Sequence, residues 1–208
     1  MTKIKICGIK TLKDALAAMD AGADLIGFNF YSKSPRYISV GQCRDIMSVM
    51  RRYGHIQYVG VFVNSTVEDI RATMGTCGLR FAQLHGDESP EIVNALHGKA
   101  FKAFRGIPGE INGFAREDAP AFLVDASVKG VYGGSGVTAD WNGAAELAKN
   151  YPLLLAGGLT TENVADAVRE VKPWGVDVAS GVECAPGKKD PGKMKAFVSA
   201  VRSQSGDS

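Results

Sequence analysis

With 208 residues, 45% of them apolar, the chain is long enough for one domain or two small ones and too apolar to be disordered. A formal net charge of +2, from 24 basic and 22 acidic side chains, and basic clusters no longer than Lys188-Lys189 leave no footprint for a nucleic-acid partner. No apolar run reaches the roughly 18 residues of a membrane helix, and the first ten residues lack the charged-then-apolar order of a signal peptide, so a cytoplasmic protein with no membrane partner is expected.

Short apolar runs alternate with helical patterns along the whole chain. The runs 3–7, 25–29, 58–63, 81–84, 100–104, 122–125, 153–156 and 176–179 are rich in Val, Ile, Leu and Phe and bounded by Gly or polar residues. Buried parallel strands have that character. Helices are expected between them at 11–21, 40–53, 66–76, 89–97, 142–150, 161–171 and 191–203. Thr11 and Thr66 are placed to cap, Gly22 and Gly54 to stop a helix, and Pro90 to open one. Segment 106–117, after the fifth strand, is the weakest helix because Gly and Pro interrupt it. The polar residues 203–208 read as a disordered tail.

Eight βα units in so short a chain fit an open doubly wound sheet or a closed (β/α)8 barrel, an α/β fold with eight parallel strands and outer helices. The length per unit favours closure into a single barrel domain over 1–208. No linker or composition shift divides the chain. The four cysteines, Cys7, Cys43, Cys77 and Cys184, are scattered with no CxxC pair, which indicates neither a zinc site nor a disulfide framework.

In such a barrel the active site forms at the C-terminal strand ends. Gly157-Gly158 follows the seventh run and Ser180-Gly181 the eighth. Glycines there let backbone N–H groups approach an anion, and a helix starting near Thr160 or Thr161 adds its dipole. Either loop alone is an ordinary turn; the two on consecutive strands point to a phosphate monoester. Asp125 ends the sixth run, where partial burial would raise its pKa and suit it to donate a proton; a turn or helix cap is the alternative. Cys7 ends the first run. Nearby positive charge would make its thiolate a base or nucleophile; a small buried apolar residue is the alternative. Side-chain alternation puts Lys5 on the face of Cys7, and Asp177 faces the interior of the adjoining eighth strand, so the two are expected to form an internal ion pair beneath the thiol. Arg36, in the polar loop 31–37, has the fork to hold a carboxylate or is simply solvated. His85 is a ligand contact or a strand-end hydrogen-bonding residue. The glycine-rich loop 132–136 is a candidate cover for the site or a plain connection.

These residues carry a family resemblance. Lys5-Ile6-Cys7-Gly8-Ile9, Gly27-Phe28-Asn29-Phe30 with Ser34-Pro35-Arg36-Tyr37-Ile38, Gly60-Val61-Phe62-Val63-Asn64 and Gln83-Leu84-His85-Gly86-Asp87-Glu88 resemble the phosphoribosylanthranilate isomerases. Leu123-Val124-Asp125 before Gly133-Gly134-Ser135-Gly136, Ala156-Gly157-Gly158-Leu159 and Ser180-Gly181-Val182-Glu183 do so in the same order. The departure is Ala179, where the family often has Ser. The resemblance implies an Amadori rearrangement of N-(5-phosphoribosyl)anthranilate in tryptophan biosynthesis, with Asp125 as general acid, Cys7 as general base and Arg36 on the anthranilate carboxylate. The partner is then a phosphorylated aminosugar. Only protons move, so no metal or other cofactor is expected. Monomer and homodimer both stay open.

Other phosphosugar barrels share the two glycine loops. The related isomerase of histidine biosynthesis has an acidic residue where Cys7 stands, indole-glycerol-phosphate synthase has an N-terminal extension, and a pentose-phosphate epimerase needs metal-binding histidines that three scattered His do not supply. A non-catalytic phosphate binder on a barrel would need neither Cys7 nor Asp125.

Overall fold

A computed structural model of the chain describes residues 1–114, 118–126 and 140–204. Its strands β1 (Lys3–Cys7), β2 (Leu25–Asn29), β3 (Gln57–Phe62), β4 (Phe81–Leu84), β5 (Ala100–Arg105), β6 (Phe122–Asp125), β7 (Leu153–Ala156) and β8 (Gly175–Val178) pair in sequence order, and β8 pairs with β1. The sheet is therefore a closed parallel barrel. Helices α1 (Leu12–Ala21), α2 (Val40–Met50), α3 (Val67–Cys77), α4 (Pro90–Ala95), α5 (Trp141–Ala148), α6 (Val164–Val171) and α7 (Pro191–Ser203) lie outside it.

Alternation divides the buried side chains into two layers. Leu25, Val59, Phe81, Phe101, Leu123 and Leu154 fill the barrel interior. Ile4, Ile6, Ile26, Phe122 and Val176 face outward and pack under the helices. Helix starts follow their capping chemistry: Thr11 accepts from the Asp14 N–H at 3.1 Å, and Ser39 and Gln42 form a reciprocal capping box. Gly22, at φ 98°, ends α1 in a left-handed turn that a side chain would strain.

Several boundaries differ from the sequence reading. Between β5 and β6 there is no helix among the described residues. Positive-φ glycines at 106 and 113 turn the backbone away from a helical path, and 115–117 lie outside the described residues. Helix α2 stops at Met50 instead of running to 53, and α6 begins at Val164 instead of 161, because Asn163 binds the Thr160 N–H and the Gly158 carbonyl in a preceding turn. Helix α7 ends at Ser203, as the expected helix 191–203 does, although the sequence also reads as a tail from 203; 205–208 lie outside the described residues, as does loop 132–136. After β8 come a 3-10 turn (Ser180–Val182) and a small antiparallel hairpin, β9 (Glu183–Ala185) and β10 (Lys188–Lys189), which the sequence reading did not contain.

The seam between β1 and β8 carries the foreseen ion pair. Lys5 and Asp177 are register partners, and Lys5 Nζ donates to Asp177 Oδ1 at 2.9 Å. The Lys5 side chain is fully buried. Burial alone would push its ammonium down; Asp177 and Cys7 outweigh that and hold it above the ordinary lysine value. Breaking one side of such a pair costs more than replacing both. Lys5→Met should therefore lower the unfolding free energy by about 3–5 kcal/mol, and Lys5→Met/Asp177→Leu by much less. Urea unfolding followed by circular dichroism measures both; equal losses would show that the pair is not desolvated.

Candidate active site

The C-terminal strand ends enclose a cavity of about 250 Å³. Cys7, Arg36, His85 and Asp125 all line it, together with Gly157, Gly158 and Ser180. Residues from five strand ends and one loop thus meet at one mouth, which no local pattern in the sequence displays.

Cys7 sits at the top of β1, 7% exposed, above the Lys5–Asp177 pair. Burial pushes its thiol up. The Lys5 ammonium, in hydrogen-bond contact, pulls it down, Asp177 pushes it up again and Lys189 pulls it down; the balance lies above the ordinary cysteine value. That balance leaves the group a thiol near neutrality. Asp125 ends β6, half-buried, on the same cavity. His85 follows β4 and anchors its N–H on the Phe62 carbonyl at 2.8 Å. Burial pushes its imidazole down, opposed by the Asp125 and Asp177 charges.

Gln83 was not singled out as a site residue by sequence. It lies two residues before His85 on the same face of β4, and its Nε2 stands 3.2 Å from His85 Nδ1. Its Oε1 is buried without a hydrogen-bond partner, in the cavity lining. A buried carbonyl oxygen of this kind is stabilised by a ligand donor. The signal was present: an amide flanked by Ala82 and Leu84 inside an apolar strand.

The glycine loops are built for close approach. Gly157 and Gly158 hold φ of 98° and 64°. Gly181 follows Ser180, which lines the cavity, and packs against the strand-seven loop. A Cβ there would lie 2.0 Å from the Leu159 carbonyl oxygen, so this glycine lets the strand-eight loop pack on the strand-seven loop. Ahead of the helix after β7, the Val164 N–H donates to the Thr160 carbonyl at 3.1 Å.

Arg36 reaches the cavity but is not a solvated loop residue. Its Nε and Nη2 donate to Glu183 Oε1 and Oε2, both at 2.8 Å. Glu183 also accepts from Lys189 Nζ at 3.0 Å. Neither partner was identified from sequence, where they appear only as the end of a motif and a surface-like Lys pair. Among the described residues no cluster of His, Cys, Asp or Glu could hold a metal ion, and no helix is long and apolar enough to cross a membrane.

This geometry can be set beside known proteins. The model of the N-(5'-phosphoribosyl)anthranilate (PRA) isomerase family matches residues 4–200. The chain belongs to the PRA isomerase family. A PRA isomerase from Magnetococcus marinus is 49% identical over 203 residues, covering 96% of this chain and 95% of that protein. The crystal structure of the PRA isomerase from Thermotoga maritima superposes with a TM-score of 0.86 at 37% identity, over 98% of this chain and 100% of that one. A further PRA isomerase, solved in complex with reduced 1-(o-carboxyphenylamino)-1-deoxyribulose 5-phosphate, superposes at 0.80 with 33% identity, over 98% and 100%.

A buried thiol of raised pKa reacts slowly with electrophiles. Without ligand near neutral pH, Cys7 should be alkylated by iodoacetamide far more slowly than the exposed Cys184, with a rate that climbs steeply through the alkaline range. Peptide mass spectrometry separates the two sites. Rapid neutral-pH alkylation of Cys7 would mean that the thiolate exists before substrate arrives.

Proposed function

We propose that the chain catalyses the Amadori rearrangement of N-(5'-phosphoribosyl)anthranilate to 1-(2-carboxyphenylamino)-1-deoxyribulose 5-phosphate, with Asp125 as general acid and Cys7 as general base. This is the isomerase step of tryptophan biosynthesis. The observation that carries the assignment is the shared cavity: a thiol on β1 and a carboxyl on β6 face one space whose rim is made by the β7 and β8 loops.

The chemistry follows from that placement. Asp125, protonated, gives its proton to the ribose ring oxygen as the C1′–O bond breaks and the anilino nitrogen's lone pair forms the Schiff base. Cys7, deprotonated, takes the C2′ proton, and the freed electron pair neutralises the iminium to give an enolamine. Tautomerisation then yields the ketone. A free Asp ionises near about 3.9 and a free Cys near about 8.5, the reverse of what these two steps need, so the bound complex has to invert both. The Lys5 ammonium beside the thiol lowers the cost of its ionisation. The phosphate is held by backbone N–H groups around Gly157, Gly158 and Ser180. Arg36 takes the anthranilate carboxylate with the guanidinium edge that Glu183 leaves free. Every step moves a proton within the substrate and its two partners, so the reaction needs neither redox cofactor nor metal. The four free cysteines fit a reducing cytoplasm.

Purified protein should therefore consume fluorescent substrate generated in situ from anthranilate, in buffer with a metal chelator. Cys7→Ala and Asp125→Asn should each fold and bind the substrate yet lose about 10²–10⁴-fold in kcat, the scale of one positioned proton-transfer group. An inactive parent would refute the reaction; a near-parental variant would refute that residue's role alone.

A further inference from the structure

Arg36 offers the cavity only part of its donor set. A guanidinium has five N–H groups in a fixed fork. The side edge, Nε and Nη2, is engaged with both oxygens of Glu183. Nη1 and the second hydrogen of Nη2 have no partner among the described residues, and they form an end-on edge with the spacing of a carboxylate.

Glu183 is itself braced. Lys189, with a fully buried side chain, donates to Glu183 Oε1 at 3.0 Å and to the Ala179 carbonyl at 2.8 Å. Lys193 Nζ donates to the Glu183 carbonyl at 2.9 Å. Burial pushes the Glu183 carboxyl up, but the Arg36 and Lys189 donors outweigh it and hold the group ionised. On the other side the Arg36 stem lies against Gly8, where a Cβ would stand 2.6 Å from Arg36 Cδ. The preceding Pro35 carbonyl accepts from Lys10 Nζ at 3.1 Å and is pressed by Gly187 in the β9–β10 turn, where a Cβ would be 2.5 Å away. The guanidinium is thus fixed from three directions. Arg36 and Lys189, with Lys10 and Lys193 beside them, outnumber the single Glu183 carboxylate, so the cluster is net positive and favours a further carboxylate.

We propose that Glu183, braced by Lys189, is the positioning residue for the substrate's carboxylate end: it turns the free edge of Arg36 into the cavity at a span fixed relative to the phosphate loop. The span is fixed because Lys189 binds Ala179, the residue before Ser180, and Glu183 in the same grip. The proposal rests on the isomerase reading above and adds to it the device by which a ligand with two anionic ends is measured.

The sign of one substitution tests it. Glu183→Gln takes away a negative charge, so electrostatics alone would tighten carboxylate binding. Loss of the fork lets Arg36 swing, and re-immobilising a long side chain weakens binding by about tenfold. The probes are two non-reacting ligands, the reduced product phosphate and the same molecule lacking its ring carboxyl, titrated calorimetrically. Positioning predicts that Glu183→Gln weakens the carboxylated ligand about tenfold, leaves the carboxyl-free ligand unchanged, and raises KM with kcat retained. In an Arg36→Met background the same change should have no further effect. Tighter or unchanged binding of the carboxylated ligand, or equal weakening of both, overturns the proposal. If Glu183→Gln fails to fold, Glu183→Asp, which keeps the charge and shortens the arm, is read with the same ligands and the same expectation. A parent that distinguishes the two ligands but does not isomerise substrate would refute the reaction and leave the positioning role standing; a parent that does not distinguish them refutes the positioning role.

Discussion

The buried pair of Lys5 and Asp177 is where closure of the barrel and chemistry of the mouth meet. It joins the first strand to the last, and its ammonium lies directly below the Cys7 thiol. An ion removed from water is stable here only because its partner and the thiol satisfy it. The same arrangement sets the proton affinity of Cys7. Burial favours the thiol, Lys5 favours the thiolate, and the ligand-free balance falls on the thiol side. A bound substrate that reshapes the charges of the cavity acts on a group already held near a cation.

Around this centre the mouth divides its labour by strand. The first and sixth strands bring Cys7 and Asp125 to the cavity, the fourth brings His85 and Gln83, and the seventh and eighth bring the turns at 157–158 and 180. Arg36 comes from the loop after β2, yet it is held by the hairpin after β8. One segment, 179–189, therefore reaches both the cavity and the Arg36 fork: its Ser180 lines the cavity, and its end holds Glu183 through Lys189.

Much of this was legible in the sequence where the signal is local or periodic. The strand runs are bounded by turn residues, so β1, β2, β4, β6 and β7 fall on the expected residues. The Lys5–Asp177 pair followed from alternation and closure alone. Helix ends were less legible: the turn that delays α6 depends on Asn163 folding back to residues 158 and 160, and α2 stops short with no glycine until 54. That Cys7 and Asp125 line one cavity was legible because each ends an apolar run. Glu183 and Lys189 were not, because their meaning lies in contact with Arg36, 147 positions away for Glu183. Gly181 stands out in sequence as a loop glycine, but its packing on the Leu159 carbonyl is a contact that sequence alone does not display.

That glycine has a wider consequence. With the 181 backbone pressed on the Leu159 carbonyl, the turns after β7 and β8 form one body, and neither can be redrawn alone. Grafting the loop of a distant barrel after β7 would require its β8 counterpart to travel with it. Change at this rim is therefore a matter of exchanging matched pairs of loops.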